Sequence, residues 1–191
     1  MAELDFKKVT KDTIANNDFD CGIESINEYV ADSYYPSLAQ HAYTYCIIGE
    51  GKTLGYIQFL FRDVELEYFP DDISDIDTGV KENMLSAIHI RFIAIKKKYQ
   101  KRKIGTAALK IAISRIEQLA DSWPVSMITI DARCDLVQWY EREGFKRMEK
   151  NKPGQNGYTF AMYYSCIRHP EELQAYIEEM YEGLILSLIH I

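Results

Sequence analysis

The chain has 191 residues, a formal net charge of −7 and a hydrophobic fraction of 47%, enough apolar material for one ordinary domain whose core needs no disulfide or metal staples. The acidic balance argues against a general nucleic-acid binder, and the cysteines at 21, 46, 134 and 166 and the four histidines show no ligand spacing, so no metal is expected. The opening MAELDFKKVT lacks an apolar segment and no run approaches the ~20 apolar residues of a membrane span, so no membrane partner and a reducing, cytoplasmic setting are expected.

Residues 3 to 9 read as a first strand. Asp18, Asp20 and Gly22 then supply helix-start chemistry for a helix from about Ile23 to Ser37, with Ile23, Ile26, Tyr29 and Val30 at helical spacing on its core face. In AYTYCIIGEGKTLGYIQFLF two strand-forming runs flank Gly49-Glu50-Gly51-Lys52, a hairpin signal. The stretch from 63 to 87 is long and acidic, with Lys81 as its one lysine, and reads either as a flap on the substrate side or as a solvated excursion.

IHIRFIAI, at 88 to 95, is an apolar strand. The helix from Ile104 to about Asp121 places Ile104, Ala108, Ile111, Ala112, Ile116 and Leu119 on one stripe. VSMITID at 125 to 131 makes a further buried strand, and this alternation implies a right-handed parallel crossover. A short helix from Leu136 to Glu143 stops at Gly144, KRMEK and YTFAMYYSC form a closing hairpin, and His169-Pro170 opens an amphipathic helix, EELQAYIEEMYEGL. The terminal ILSLIHI is apolar for an exposed tail. The expected layout is one domain over 1–168, with 169–191 packed on it.

Between the strand and the 104 helix lie Lys96 to Lys103, KKKYQKRK, with six positive charges. A helix N-terminus already carries about half a positive charge, so this crowding is unfavourable unless an anion sits there. Strand, basic loop, Gly105 and helix therefore read as a phosphate cradle. Set against the acidic 63–82 stretch, it suggests a small anionic cofactor beside a cationic substrate.

Ala94, Ile95, Tyr99, Gln100, Lys101, Arg102, Lys103, Ile104, Gly105 and Thr106, followed some 35 residues on by WYEREGF at 139 to 145, together resemble the signature of the GNAT superfamily of acetyl-CoA-dependent N-acetyltransferases. The resemblance runs from the first strand to Ser165. It implies an α/β, mixed, three-layer fold: a GNAT-like twisted central sheet of about six to seven strands flanked by about four helices. The family usually has glycine where this chain has Lys101 and Lys103. A second register, Arg102-x-x-Gly105-x-Ala107, fits the short consensus but misplaces the tyrosine and the helix start. Non-glycine residues are expected to keep a negative φ there while their lysines add charge.

The resemblance further implies acetyl-CoA as acyl donor, held by Ile93, Ala94, Ile95, Gln100, Lys101, Arg102, Lys103, Ile104, Gly105 and Thr106, with a strand-end N–H near Ile95 polarising the thioester carbonyl. A primary amine attacks directly, without a covalent enzyme intermediate. Tyr140 matches the tyrosine that hydrogen-bonds the sulfur and protonates the departing thiolate. Some members carry a glutamate where this strand has His89, which makes His89 a candidate base, with an ordered water or an acid of the 63–82 stretch as rivals. A period of two places His89, Arg91, Ile93 and Ile95 on one face. Cys134, with no helix N-terminus or histidine beside it in the sequence, reads as inert, while Asp131 and Arg133 stand where pantetheine or acceptor would pass.

FDCGIESINEYV at 19 to 30 is similar to the entry of the toxin branch that acetylates aminoacyl-tRNA, so that acceptor stands as an alternative. Set against it is the acidic charge, since tRNA calls for a broad basic surface. A non-catalytic acyl-CoA-binding module is the third reading, and a homodimer is open in all three.

Overall fold

The computed structural model describes residues 4–15, 18–65, 84–148, 159–167 and Ala175. A seven-stranded sheet runs through them in the order β1-β2-β3-β4-β5-β7-β6. Its strands are β1 (Leu4–Lys8), β2 (Tyr43–Gly49), β3 (Lys52–Glu65), β4 (Met84–Ile95), β5 (Met127–Arg133), β6 (Lys146–Arg147) and β7 (Thr159–Ser165). Only β4 and β5 pair in parallel, and every other neighbouring pair is antiparallel.

Helices α1 (Lys11–Ala15), α2 (Glu24–Ala31) and α3 (Tyr34–Leu38) cover one face; α4 (Ile104–Ala120) and α5 (Val137–Arg142) cover the other. The larger core joins Ile88, Ile90 and Ile128 of the sheet to Ala108, Leu109, Ala112 and Ile116 of α4. On the opposite face Val30, Cys46, Tyr56, Phe92 and Ala94 pack together. The three-layer α/β fold expected from the sequence is the one observed.

Several expectations are corrected. The single helix from 23 to 37 is two helices, because Pro36 lacks an N–H and its ring would strike the carbonyl four residues back, at Asp32. Ser33 and Ser37 instead bond the carbonyls of Val30 and Ser33, at 2.7 and 3.0 Å. Tyr29 is not a core residue but 54% exposed. The buried stripe of α4 takes in Leu109 and Ile113, with Ile104, Ile111 and Leu119 at its margins. The acidic connection is shorter than read, since Asp63↔Ser86 and Glu65↔Met84 extend the β3–β4 ladder into both of its ends. Its middle lies outside the described residues, as does the helix after His169 apart from Ala175, which is helical and exposed.

The hairpin turn is as expected. Gly49 pairs with Lys52, and Glu50 and Gly51 take φ of 50° and 71°, the doubly left-handed turn that suits the twist of two strands.

Candidate active site

The site begins with one extra residue in β4. Gln58 pairs with Phe92 and Phe59 with Ile90, so Arg91 is a bulge with no partner of its own. A bulge resets the alternation of faces. Ile88 and Ile90 share the α4 face with Ile93 and Ile95, whereas Phe92 and Ala94 face α2. The expectation that His89, Arg91, Ile93 and Ile95 share one face is therefore overturned: the bulge separates His89 from Ile93 and Ile95.

At the same place β4 and β5 part. Their ladder runs only from Ala87↔Met127 to Ile90↔Ile130, while β4 follows β3 to Ile95 and β5 follows β7 to Arg133. The β5-side edge of β4 beyond Ile90 thus faces a wedge with no strand across it, and peptide groups left this way seek a ligand. Gly55 lets β3 lie tight against the other edge, for a Cβ there would stand 2.3 Å from the Ala94 carbonyl oxygen.

The basic loop closes one end of the wedge. Lys101 and Lys103 both adopt φ of 60°. The expected negative φ is thus wrong: the backbone keeps the left-handed shape for which glycine is the usual residue, at roughly 1 kcal/mol for each lysine. Lys103 caps α4 through its backbone alone, and its carbonyl accepts first from Ala107, so the amides of Ile104, Gly105 and Thr106 have no helix partner and point outward. A Cβ on Gly105 would meet nothing nearer than Ile95 at 3.9 Å, so the floor of the cradle is open. A cavity of about 240 Å³ lies on the β1–β3 side of the loop, away from the wedge, bounded by Leu4, Gly49, Leu54, Tyr99, Arg102 and Lys103.

The six cations are not all free for a ligand. Lys96 pairs with Asp18, and the Lys97 ammonium lies 3.4 Å from Asp20. Lys98 and Arg102 flank the Tyr99 ring at 5.2 and 5.9 Å. The pairing holds the carboxyl of Asp18 below the ordinary aspartate range, chiefly through its hydrogen bond with Lys96. Asp20 is lowered first by the Gly22 amide, then by Asn27.

Asp18 and Asp20 are thus the loop's internal counter-charge, and the FDCG segment that carries Asp20 is locked in place by Gly22 N–H to Asp20 at 2.6 Å and Cys21 N–H to Asn27 at 3.0 Å. The Gln100 amide ties loop to segment and strand, donating to the carbonyls of Cys21 at 2.8 Å and Ile95 at 3.0 Å. Its side chain is a brace between protein elements. Sequence reading missed Asp18 and Asp20 as partners of the lysines, although their nearness to Gly22 was visible.

On the α4 face, Tyr140 of α5 is 5% exposed and packs against Trp139 and Phe145 at 4.4 and 5.6 Å between ring centres. Its hydroxyl has no hydrogen-bond partner among the described residues, and burial alone raises the phenol's pKa, so it stays protonated. Trp139 Nε1–H donates to Thr106 Oγ1 at 3.0 Å, which fixes α5 on the first turn of α4 and sets Tyr140 relative to the cradle. Trp139 was the other residue missed, because nothing in its spacing marks it.

On the opposite face His89 is 7% exposed. Its Nδ1 lies 3.0 Å from Thr129 Oγ1 and 3.3 Å from Arg62 Nη1, and its Nε2 lies 3.8 Å from Asp131 Oδ2. Arginine only donates, so Nδ1 is the accepting nitrogen and Nε2 carries the proton. Burial depresses the imidazole to about 4, Asp131 opposes this, and Arg62 and Arg91 add to it. At pH 7 the ring is neutral.

A stability prediction follows. Below pH 6.5 the unfolded chain's histidine takes up a proton that the buried ring refuses until about pH 4, so stability falls as pH drops through that window, by up to about 3 kcal/mol. Urea unfolding from pH 7.5 to 4 is expected to show this slope in the wild type and a shallower one in His89→Gln. Equal slopes would refute the burial.

Arg133 is occupied by Asp135 at 3.0 and 3.1 Å. Cys134 is exposed and stands in a 3-10 turn, with nothing that marks it as a nucleophile. No cluster of metal-ligating side chains occurs among the described residues, and no helix among them is long and apolar enough to cross a membrane.

Residues 74–164 match the family model described as "Acetyltransferase (GNAT) domain". Among solved structures, a tyrosine-to-phenylalanine mutant of KacT superposes with a TM-score of 0.71 at 15% identity, covering 93% of this chain and 98% of that one. AtaT complexed with acetyl-methionyl-tRNAfMet gives 0.69 at 15% identity, covering 85% and 95%. AtaTR bound with AcCoA gives 0.67 at 16% identity, covering 93% and 98%. At such identities the likeness shows the fold. No curated protein matches the sequence. Residues 74–164, just under half of the chain, thus match a GNAT acetyltransferase domain, and together with the shared fold this match supports an acyltransferase.

Proposed function

We propose that the protein transfers the acetyl group of acetyl-CoA to a primary amine by direct attack in a ternary complex. The observation that carries this is the wedge: an unpaired edge of β4 with free amides of Ile104, Gly105 and Thr106 at one end and a buried, unbonded phenol beside it. The donor fits what is present. Lys101, Arg102, Lys103 and the α4 amides suit its phosphates, and the strand-edge amides of Ile93 to Ile95 suit its amide-bearing arm and acyl carbonyl.

Tyr140 has one task, to hold its proton against the departing sulfur. The dry surroundings that raise the phenol's pKa raise the proton affinity of a thiolate placed in them as well, so the proton's passage is not opposed. His89 is the candidate base: neutral at pH 7 but held at about 4 by burial, it is too weak to deprotonate a free ammonium. It takes the proton once the nitrogen has bonded to the acyl carbon and turned acidic, after Arg62 or Thr129 is displaced from Nδ1, with Asp131 beside Nε2 to steady the imidazolium. Thiol release from acetyl-CoA against a panel of amines tests the reading. No turnover with any acceptor, together with no uptake of acetyl-CoA in calorimetry, would remove it.

A second reading narrows the acceptor to aminoacyl-tRNA. FDCGIESINEYV supports it, because the structure makes this segment the brace of the phosphate loop, and a fold neighbour is complexed with acetyl-methionyl-tRNAfMet. The net charge of −7 weighs against it. Growth arrest on expression, relieved by Tyr140→Phe, would support it, and unimpaired growth with active enzyme would favour another acceptor.

A further inference from the structure

We infer that the sheet face beside His89 is an anion subsite, so that the amine arrives on a molecule that also carries a phosphate or a carboxylate; this rests on the acetyl-transfer reading. Arg91, the bulge residue, is exposed at the point where β4 and β5 part. Its guanidinium lies 5.6 Å from the Tyr29 ring, and its Nη1 donates to Gln58 Oε1 at 3.3 Å.

Gln58 is 1% exposed and is itself anchored, its Nε2 donating to the buried Thr44 hydroxyl at 2.8 Å. The Thr44 amide in turn donates to Ser37 Oγ at 3.4 Å. A buried relay from α3 through β2 and β3 therefore holds the arginine from behind. A guanidinium has five N–H donors in a fork that matches planar oxyanions, and the bond to Gln58 uses one.

The surrounding charge has the same sign. Arg62 stands against His89 Nδ1 at 3.3 Å, Arg133 is taken by Asp135, and Asp131, half exposed, is the carboxylate facing the imidazole among the described residues. Two arginines to one aspartate repel an acceptor that is all ammonium. They favour the uncharged form of an amine, which helps attack, yet they attract only a molecule that brings its own anion. This reverses the cationic substrate suggested by the acidic 63–82 stretch.

The test compares wild type with Arg91→Gln and Arg91→Lys, using acetyl-CoA and five amines. These are O-phosphoethanolamine and methionyl-tRNA for phosphate, glycine for carboxylate, glycinamide as the neutral standard and spermidine as the cation. Dividing each kcat/KM by that of glycinamide, and comparing between proteins, cancels each amine's own reactivity.

For at least one anionic acceptor the ratio is expected to fall ten-fold or more in Arg91→Gln, mainly through KM, and to recover in part in Arg91→Lys; spermidine moves the other way. Whether the phosphate or the carboxylate arm responds names the anion. Calorimetric uptake of acetyl-CoA by both variants shows that they are folded. A wild-type preference for spermidine, or unchanged ratios, overturns the subsite and leaves acetyl transfer standing. Should acetyl-CoA bind with no amine turned over, transfer itself is refuted. Equilibrium dialysis of the same amines against CoA-loaded protein then decides the subsite, tighter binding of spermidine than of every anionic amine counting against it.

Discussion

Tyr140→Phe is expected to lower kcat for acetyl transfer by about 10²–10³, with the affinity for acetyl-CoA unchanged and the fold intact. The split arises from the local environment. The ring fills the corner between Trp139 and Phe145, and phenylalanine keeps that packing. The hydroxyl meets no partner among the described residues, so its removal leaves nothing behind unsatisfied, and the melting temperature should stay level. What disappears is the proton presented to the sulfur. Steady-state kinetics and calorimetry on one preparation check this. A variant of normal kcat would displace Tyr140 from the chemistry, and one that no longer binds acetyl-CoA would make it a structural residue instead.

Gly105→Ala is expected to separate folding from binding in the opposite direction. A methyl there meets only Ile95 at 3.9 Å, and alanine in place of glycine within a helix contributes about 0.5–1 kcal/mol, so the variant should unfold at slightly higher denaturant. The same methyl projects into the cradle where backbone amides must approach an anion. Affinity for CoA is expected to drop about 30- to 100-fold, or roughly 2–3 kcal/mol. Lys103→Gly gives a cross-check. It relieves a left-handed lysine and should stabilise by about 1 kcal/mol, while the lost cation weakens CoA by less than tenfold, because a partly screened surface charge contributes about 1 kcal/mol or less. Unchanged CoA affinity in Gly105→Ala would move the phosphate site away from the start of α4.

Periodicity and punctuation made much of the fold legible. The long α4, the turn at Glu50-Gly51, the parallel crossover and the stop at Gly144 each rest on an adjacent signal in the chain, and the structure has them all. Pro36 is such a signal too, and it divides α2 from α3 within one stretch of helical periodicity. The bulge at Arg91 had no such mark. No glycine or proline flags it, and the extra residue is defined by its neighbours on β3, so strict alternation carried His89 onto the wrong face. Long-range charge pairs were hidden for the same reason: Lys96 and Asp18 meet only after folding. Lys101 and Lys103 are subtler. Their side chains argue against left-handed backbone, and the loop shape prevails because strand end, Gln100 brace and helix start fix both of its ends.

The parting of β4 from β5 also bears on how the molecule breathes. Two panels, β1 to β4 and β5 with β7 and β6, are riveted across the sheet by four residue pairs, from Ala87↔Met127 to Ile90↔Ile130. Amides of Phe92 to Ile95 on the open side should exchange with solvent far sooner than those of Ile128 or Ile130, without the whole domain unfolding. A molecule lodged in the gap and touching both margins would act as a stitch between the panels, so its presence should be readable as slowed deuterium uptake on strands it touches only at their tips.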